Sequence, residues 1–224
     1  MQADLESFET IAGRRRSVRA FLPDPVDRAV IERAVAAAGT APSSCNTQPW
    51  KLHIVSGEKL ARLRDALIDV AKAGTPTSPE VEHAQPYREQ YRDRQIDAAV
   101  RLFAAQGVGR HDRDARMASF LRNYAFFDAP HAAFLYIPAD GGLREAADCG
   151  KFAQTFMLAL TAAGIGSCPQ GALSHYPDIV RNVLGLEESG RLLVGISFGY
   201  ADEADPTSAV RPERCAVEDL AEFH

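Results

Sequence analysis

Long hydrophobic runs are missing from this sequence. No stretch of about 18 uninterrupted apolar residues occurs, so no membrane-spanning helix is expected. The first ten residues carry acids and no apolar segment of the leader kind, so no signal peptide is expected. Cysteine is scarce. Cys45, Cys149, Cys168 and Cys215 form no C-x-x-C pair and match no zinc spacing, and scattered thiols suit a reducing cytosol. A basic surplus is also missing: the net charge is -5, which argues against a dedicated nucleic-acid binder. The six histidines form no H-E-x-x-H pair. There is no G-x-G-x-x-G after a strand, no phosphate-binding G-x-x-x-x-G-K-[S/T] loop and no G-x-S-x-G elbow. These absences leave no evident nucleophile–base pair and no metal set. An enzyme built from this sequence would carry its chemistry on a cofactor.

What is present is ordinary core material. With 224 residues, 46% of them apolar, the chain suffices for one sizeable domain, 1–224, without a visible linker. A short helix is expected over 4–16, with Leu5, Phe8 and Ile11 on one face. Asp24 and Pro25 suit the start of a second helix that Gly39 stops. Lys51 to Val55 alternates as a strand ended by a Ser56-Gly57 turn, and Leu60 to Ala71 is helical. Segments 88–106 and 111–122 read as polar helices, so 80–122 is a candidate lid or surface excursion. Ala132 to Ile137 is a strand, 143–163 a long helix apolar nearly all round, and Leu192 to Gly199 a final strand. Ser174 is expected to cap a short helix that ends at Gly185. Helices and strands mix without strict alternation, which favours an α+β domain.

Four constellations could carry chemistry. Arg14, Arg15, Arg16 and Arg19 surround Ser17; planar forked donors and a hydroxyl match a phosphate, and equally a solvated charge run at a helix end. Pro42-Ser43-Ser44-Cys45-Asn46-Thr47-Gln48-Pro49-Trp50 could meet the edges of a polar heterocycle, or could be a stiffened turn that satisfies its own backbone. Cys168-Pro169-Gln170-Gly171 allows close approach of a ligand or is a tight connection. Arg211 and Arg214 are two further guanidinium groups.

Taken in order, these pieces resemble the nitroreductase family of FMN enzymes. Arg15-Arg16-Ser17-Val18-Arg19-Ala20-Phe21 is similar to its R-x-S-x-R/K-x-F opening, and residues 42–50 to its P-S-x-x-N-x-Q-P-W loop. Phe126-Phe127-Asp128-Ala129-Pro130 resembles F-F-x-A-P, and Cys168 to Gly171 the flavin-facing turn. Gly195 to Asp202 resembles the G-x-x-x-G-Y-x-D strand end, and Arg211-x-x-Arg214 the closing arginines. One departure is Pro206-Thr207, where family members often carry an asparagine.

The resemblance implies an α+β domain with a central, mostly antiparallel sheet flanked by helices, in an intertwined homodimer with FMN at the interface. Arg15, Arg16, Ser17 and Arg19 would hold the phosphate and ribityl groups, closed by Arg214 and Arg211. Pro42, Ser43, Ser44 and Asn46 would reach the flavin from the other subunit. Pro169, Gln170 and Gly171 would lie against the ring near N5. Gln48, Asn123, Phe120, Tyr124 and Tyr87 are further cofactor or substrate candidates. The implied activity is ping-pong reduction of nitroaromatic, quinone or related flat acceptors by NAD(P)H. Reductive dehalogenation, enone reduction, flavin fragmentation or flavin binding without catalysis are the other activities to weigh.

Overall fold

The computed structural model describes residues 2–81, 86–187 and 190–224. The polypeptide runs through α1 (Gln2–Arg14), α2 (Arg28–Ala38), β1 (Lys51–Ser56), α3 (Gly57–Lys72), α4 (Glu89–Ala105), α5 (Arg113–Leu121), β2 (His131–Ile137), α6 (Leu143–Ala162), β3 (Gly166–Gln170), α7 (Pro177–Leu184) and β4 (Arg191–Gly199). The four strands form one sheet in the order β1-β2-β4-β3, antiparallel throughout. This is the α+β architecture expected from the sequence.

Burial explains the order. β2 is buried at every position and β4 at most, so these two strands occupy the sheet centre. One core lies between the sheet and α3 and α7, centred on Leu63, Leu67, Tyr124, Phe134 and Val180. The other lies beneath α2 and α6, centred on Ala34, Leu135, Phe152, Phe156 and Ile196. Alternate residues of β2 feed the two layers, as a pleated strand must: Phe134 and Tyr136 one way, Ala133, Leu135 and Ile137 the other.

Several boundaries differ from the sequence reading. The second helix begins at Arg28, and its cap is Asp27, whose carboxylate accepts the Ala29 N–H at 2.8 Å; Asp24 and Pro25 precede it in the chain. Two acids bracket a proline here, and the one whose side chain reaches a free amide of the first turn becomes the cap. Ser56-Gly57 is not a free-standing turn, because α3 starts at Gly57 directly. Ser174 does not cap α7; it closes a short 3-10 turn, Gly171–Ser174, by donating to the Gly171 carbonyl, and Pro177 opens the helix instead. The expected face of α1 exists but has no buried residue: Leu5 and Phe8 are both more than half exposed. Among the described residues no helix is long and apolar enough to cross a membrane.

Candidate functional site

The segment after α1 runs beside the outer edge of β3. Ser17 bridges Ser167 in parallel, and the Val18 N–H donates to the Ser167 carbonyl at 3.0 Å. Gly166 permits this approach, since a Cβ there would sit 2.8 Å from Val18 Cγ2. Extended backbone sends successive side chains to opposite sides, and this divides the arginines into two groups.

Arg15, Ser17 and Arg19 gather around Cys168. The Ser17 hydroxyl is a hydrogen-bond neighbour of the Cys168 thiol, and the charges of Arg19 and Arg15 act on it. Burial nevertheless pushes that thiol up to about 11, so it is a neutral filler and not a nucleophile. Arg214 joins from the C-terminal segment. Burial, and then the charge of Arg214, push the Arg15 guanidinium below its ordinary value. Among the described residues, Arg15, Arg19 and Arg214 have no carboxylate within ion-pair distance. Arg19 donates to the Ser17 carbonyl and Arg214 to the carbonyls of Pro212 and Glu213. Guanidinium stays charged in proteins. Cations held together without a counter-ion form a site for a multiply charged anion, and the fork geometry with a nearby hydroxyl suits a phosphate ester.

Arg16 and Arg211 fall on the other side. Arg16 pairs with Glu203 at 2.5 Å. Burial and the charge of Arg16 lower the Arg211 guanidinium, while Glu203 raises it. All three line a cavity of about 330 Å³ with Arg14 and Ser167. The six residues grouped by sequence thus separate into Arg15, Ser17, Arg19 and Arg214 against Arg16 and Arg211.

The flavin-like turn abuts the first group. Pro169 and Gly171 are exposed and Gln170 is buried. The Gln170 side chain is fully engaged: its amide donates to the Asn123 carbonyl at 3.0 Å and to Asn123 Oδ1 at 3.3 Å, and its oxygen accepts from the Ser197 hydroxyl. This ties Asn123, at the base of α5, to the end of β3. Gly195, across from Gln170, leaves room for the turn; a Cβ there would meet Leu173 Cβ at 2.5 Å. Phe120 is exposed at 43% and Tyr87 at 51%, so each has a face available. Tyr124 does not. It is fully buried, with its hydroxyl 3.0 Å from His175 Nδ1, and is a core residue rather than a stacking surface.

The polar loop lies elsewhere. Ser43 Oγ accepts the Gln48 N–H, and Gln48 Nε2 donates to the Asn46 carbonyl, so part of this loop satisfies itself. Pro42, Asn46 and Gln48 remain exposed. Cys45, Asn46 and Gln48 hold φ values of 50, 56 and 47°, three left-handed non-glycine residues interrupted by Thr47 at -69°. Such conformations persist only where the surroundings enforce them. Here the clamp is α6: Asp148 accepts the Ser44 N–H at 2.9 Å and is paired with Lys151 at 2.6 Å, while Trp50 stacks on Phe152 with ring centroids 5.1 Å apart. The Lys151 and Ser44 bonds hold the Asp148 carboxyl below its ordinary range. Asp148 was not singled out from the sequence, where it reads as a polar residue within a helix. Its one signal is position, since it precedes Cys149 on the face that also buries Phe152.

This loop precedes β1, one edge of the sheet, whereas the arginine group and the flavin-like turn flank β3, the other edge. Three interstrand steps, about 14 Å, separate the edges. Within one chain the two segments therefore stand at opposite edges of the sheet.

Comparison with known proteins bears on this arrangement. The model of the nitroreductase family matches residues 12–200. The chain is 40% identical to nitroreductase NfnB of Mycolicibacterium smegmatis, over 97% of this chain and 93% of that protein. It is 30% identical to a 4-nitrobenzoate reductase of Pseudomonas putida, over 97% of this chain and 96% of that one. Among solved structures, the FMN-dependent nitroreductase NfnB from Mycobacterium smegmatis in complex with NADPH superposes with a TM-score of 0.94 at 38% identity, covering 98% of this chain and 99% of that chain. The fold, the ordered motifs and these likenesses agree, and the chain belongs to the nitroreductase family.

Proposed function

We propose that this protein is an FMN-dependent oxidoreductase that uses NAD(P)H to reduce nitroaromatic, quinone or related flat acceptors, and that it works as a homodimer. The observation that carries the reading is the group of three guanidiniums without carboxylates around Ser17, set beside the exposed Pro169–Gly171 turn. When bound there, FMN would supply the two-electron chemistry between NAD(P)H and the acceptor.

The chain's own residues then have separate tasks. Arg15 and Arg214 neutralise the phosphate, and Ser17 and Arg19 hold the ribityl side. Backbone N–H groups of Gln170 and Gly171 would face the ring, Pro169 having none, while Asn123 and Ser197 fix the Gln170 side chain so that the turn keeps its shape. Pro42, Ser43, Ser44 and Asn46 belong to the partner's contribution, because within one chain they stand at the far sheet edge. The exposed apolar face of α1 supports an interface of this kind. Phe120, Tyr87 and Gln48 are exposed enough to meet a flat acceptor. All four cysteines are free thiols, which supports a reducing compartment such as the cytosol.

Anaerobic stopped-flow of the FMN-loaded protein tests the reading. NADPH or NADH is expected to bleach the flavin, and 4-nitrobenzoate or a quinone to restore its colour. A colourless protein that takes up no FMN, or a flavin that neither pyridine nucleotide reduces, would overturn it.

A further inference from the structure

We propose that Arg122 is a positioning residue of the FMN site, and that one stiff bend at the end of α5 braces both Arg19, through Arg122, and the 169–171 turn, through Asn123. Its tie to FMN rests on the flavin reading, whereas the brace belongs to the protein with or without flavin.

Segment 19–22 is gripped from both sides. On one side the Ala20 carbonyl accepts the Asp202 N–H at 3.0 Å, and the Leu22 N–H donates to the Tyr200 carbonyl at 2.9 Å. On the other side the Phe21 N–H donates to the Phe127 carbonyl at 3.2 Å. Backbone groups of an extended chain alternate in direction, so the Arg19 carbonyl faces the same way as the Phe21 N–H. There a side chain takes the place of a strand partner: Arg122 Nη2 donates to the Arg19 carbonyl at 2.9 Å.

Arg122 is unlike Arg15, Arg19 and Arg214 in having carboxylates nearby, Asp128 at 3.9 Å and Asp205 at 4.0 Å. Both stand too far away for a hydrogen bond, yet they offset its charge. A guanidinium so balanced is ill suited to hold a phosphate, and its short contact goes to the Arg19 carbonyl instead. Its plane lies over the Phe127 ring, 6.0 Å from the centroid. Arg122 thus acts on the site through Arg19.

The bend that carries Arg122 is built to resist movement. Its carbonyl accepts the Phe127 N–H at 3.0 Å. Phe126, Phe127 and Asp128 hold φ values of 56, 53 and 67°, and the rings of Phe126 and Phe127 are buried in the core, which enforces that backbone. Strained stretches of this kind cluster at ligand clamps. The next residue, Asn123, receives the Gln170 amide on its carbonyl and its Oδ1. Adjacent residues of one bend therefore hold the ribityl side and the ring side of the proposed site, and fix the spacing between them.

Arg122→Met removes the donor and keeps an apolar side chain against Phe127. It is expected to weaken FMN and riboflavin alike, by about 10-fold, because no phosphate contact is lost. Arg122→Lys retains a donor, and Asp128→Asn leaves the bond to Arg19 in place; each is expected to stay within about 3-fold of wild type. Amide hydrogen exchange gives a second readout. The Phe21 amide should exchange about 10-fold faster in flavin-free Arg122→Met than in flavin-free wild type, and FMN should slow it in wild type. A loss confined to FMN would make Arg122 a phosphate ligand and overturn the proposal. So would a lysine variant as weak as the methionine one, or unchanged exchange at Phe21. If Arg122→Met does not fold, the lysine variant and the effect of FMN on wild-type exchange still decide. A wild type that takes up no flavin would sink the flavin reading, and exchange in the flavin-free variant would then test the brace alone.

Discussion

Arg15 shows how much depends on the company a charged side chain keeps. A lone arginine at a helix end costs little and signals little. Beside Arg214 and Arg19, partly buried and without a carboxylate, the same side chain is poised for a dianion. Hydrogen bonds to charged groups contribute about 1.5–3 kcal/mol each. Arg15→Gln or Arg214→Gln is therefore expected to weaken FMN binding about 10- to 100-fold. Arg211→Gln, whose side chain shares a separate cavity with Arg16 and Glu203, is expected to change it by less than about 3-fold. Flavin fluorescence quenching measures each constant. Riboflavin, which lacks the phosphate, should bind wild type and all three variants alike; a loss confined to Arg211→Gln would reverse the assignment.

At the level of elements, α6 holds the loop that the flavin reading requires. Asp148 reaches out of the helix to the Ser44 amide, and its carboxyl is held below the ordinary range by Lys151 and Ser44. The sign of the pH effect follows. A depressed carboxyl contributes stability above its unfolded value, near 3.9, and loses it as pH falls through the folded value. The 42–50 loop should therefore loosen in acid below about pH 4. Asp148→Asn should show weaker FMN retention at neutral pH and lose that part of the acid dependence, read by flavin release against pH. Equal acid release from variant and wild type would show that the clamp lies elsewhere. Periodicity in the sequence was enough to locate α3, α6, β2 and β4, because each buries an apolar face that repeats along the chain. It could not choose Asp27 over Asp24, since both are acids before a helix and only backbone geometry decides. Nor could it foresee the left-handed backbone at Cys45, Asn46 and Gln48, which nothing in those residue types demands. The arginine cluster was visible as a cluster. Its division was not, because that depends on the segment lying along β3, a contact about 150 residues away in the chain.

For the molecule as a whole, the sheet order has the largest consequence. Two segments at opposite edges, with an apolar helix face left open, are the features that the proposed homodimer would join. Mixing tests this directly. A preparation defective at Arg15 and another defective at Asn46 should each be inactive alone. If sites form across copies, random subunit exchange leaves roughly a quarter of sites intact, and activity returns to that level. If each site lies within one chain, mixing restores nothing. The C-terminal arm gains a role from the same geometry. Arg214 is brought near Arg15, a like charge, by a segment whose later apolar residues Val217, Leu220 and Phe223 remain exposed. Repulsion between the two guanidiniums works against this placement, and a phosphate between the two charges would favour it. A bound phosphate would then act as an electrostatic latch. An emptied protein would carry a loose arm open to proteases, and loading it with FMN would fasten the arm before any substrate arrives.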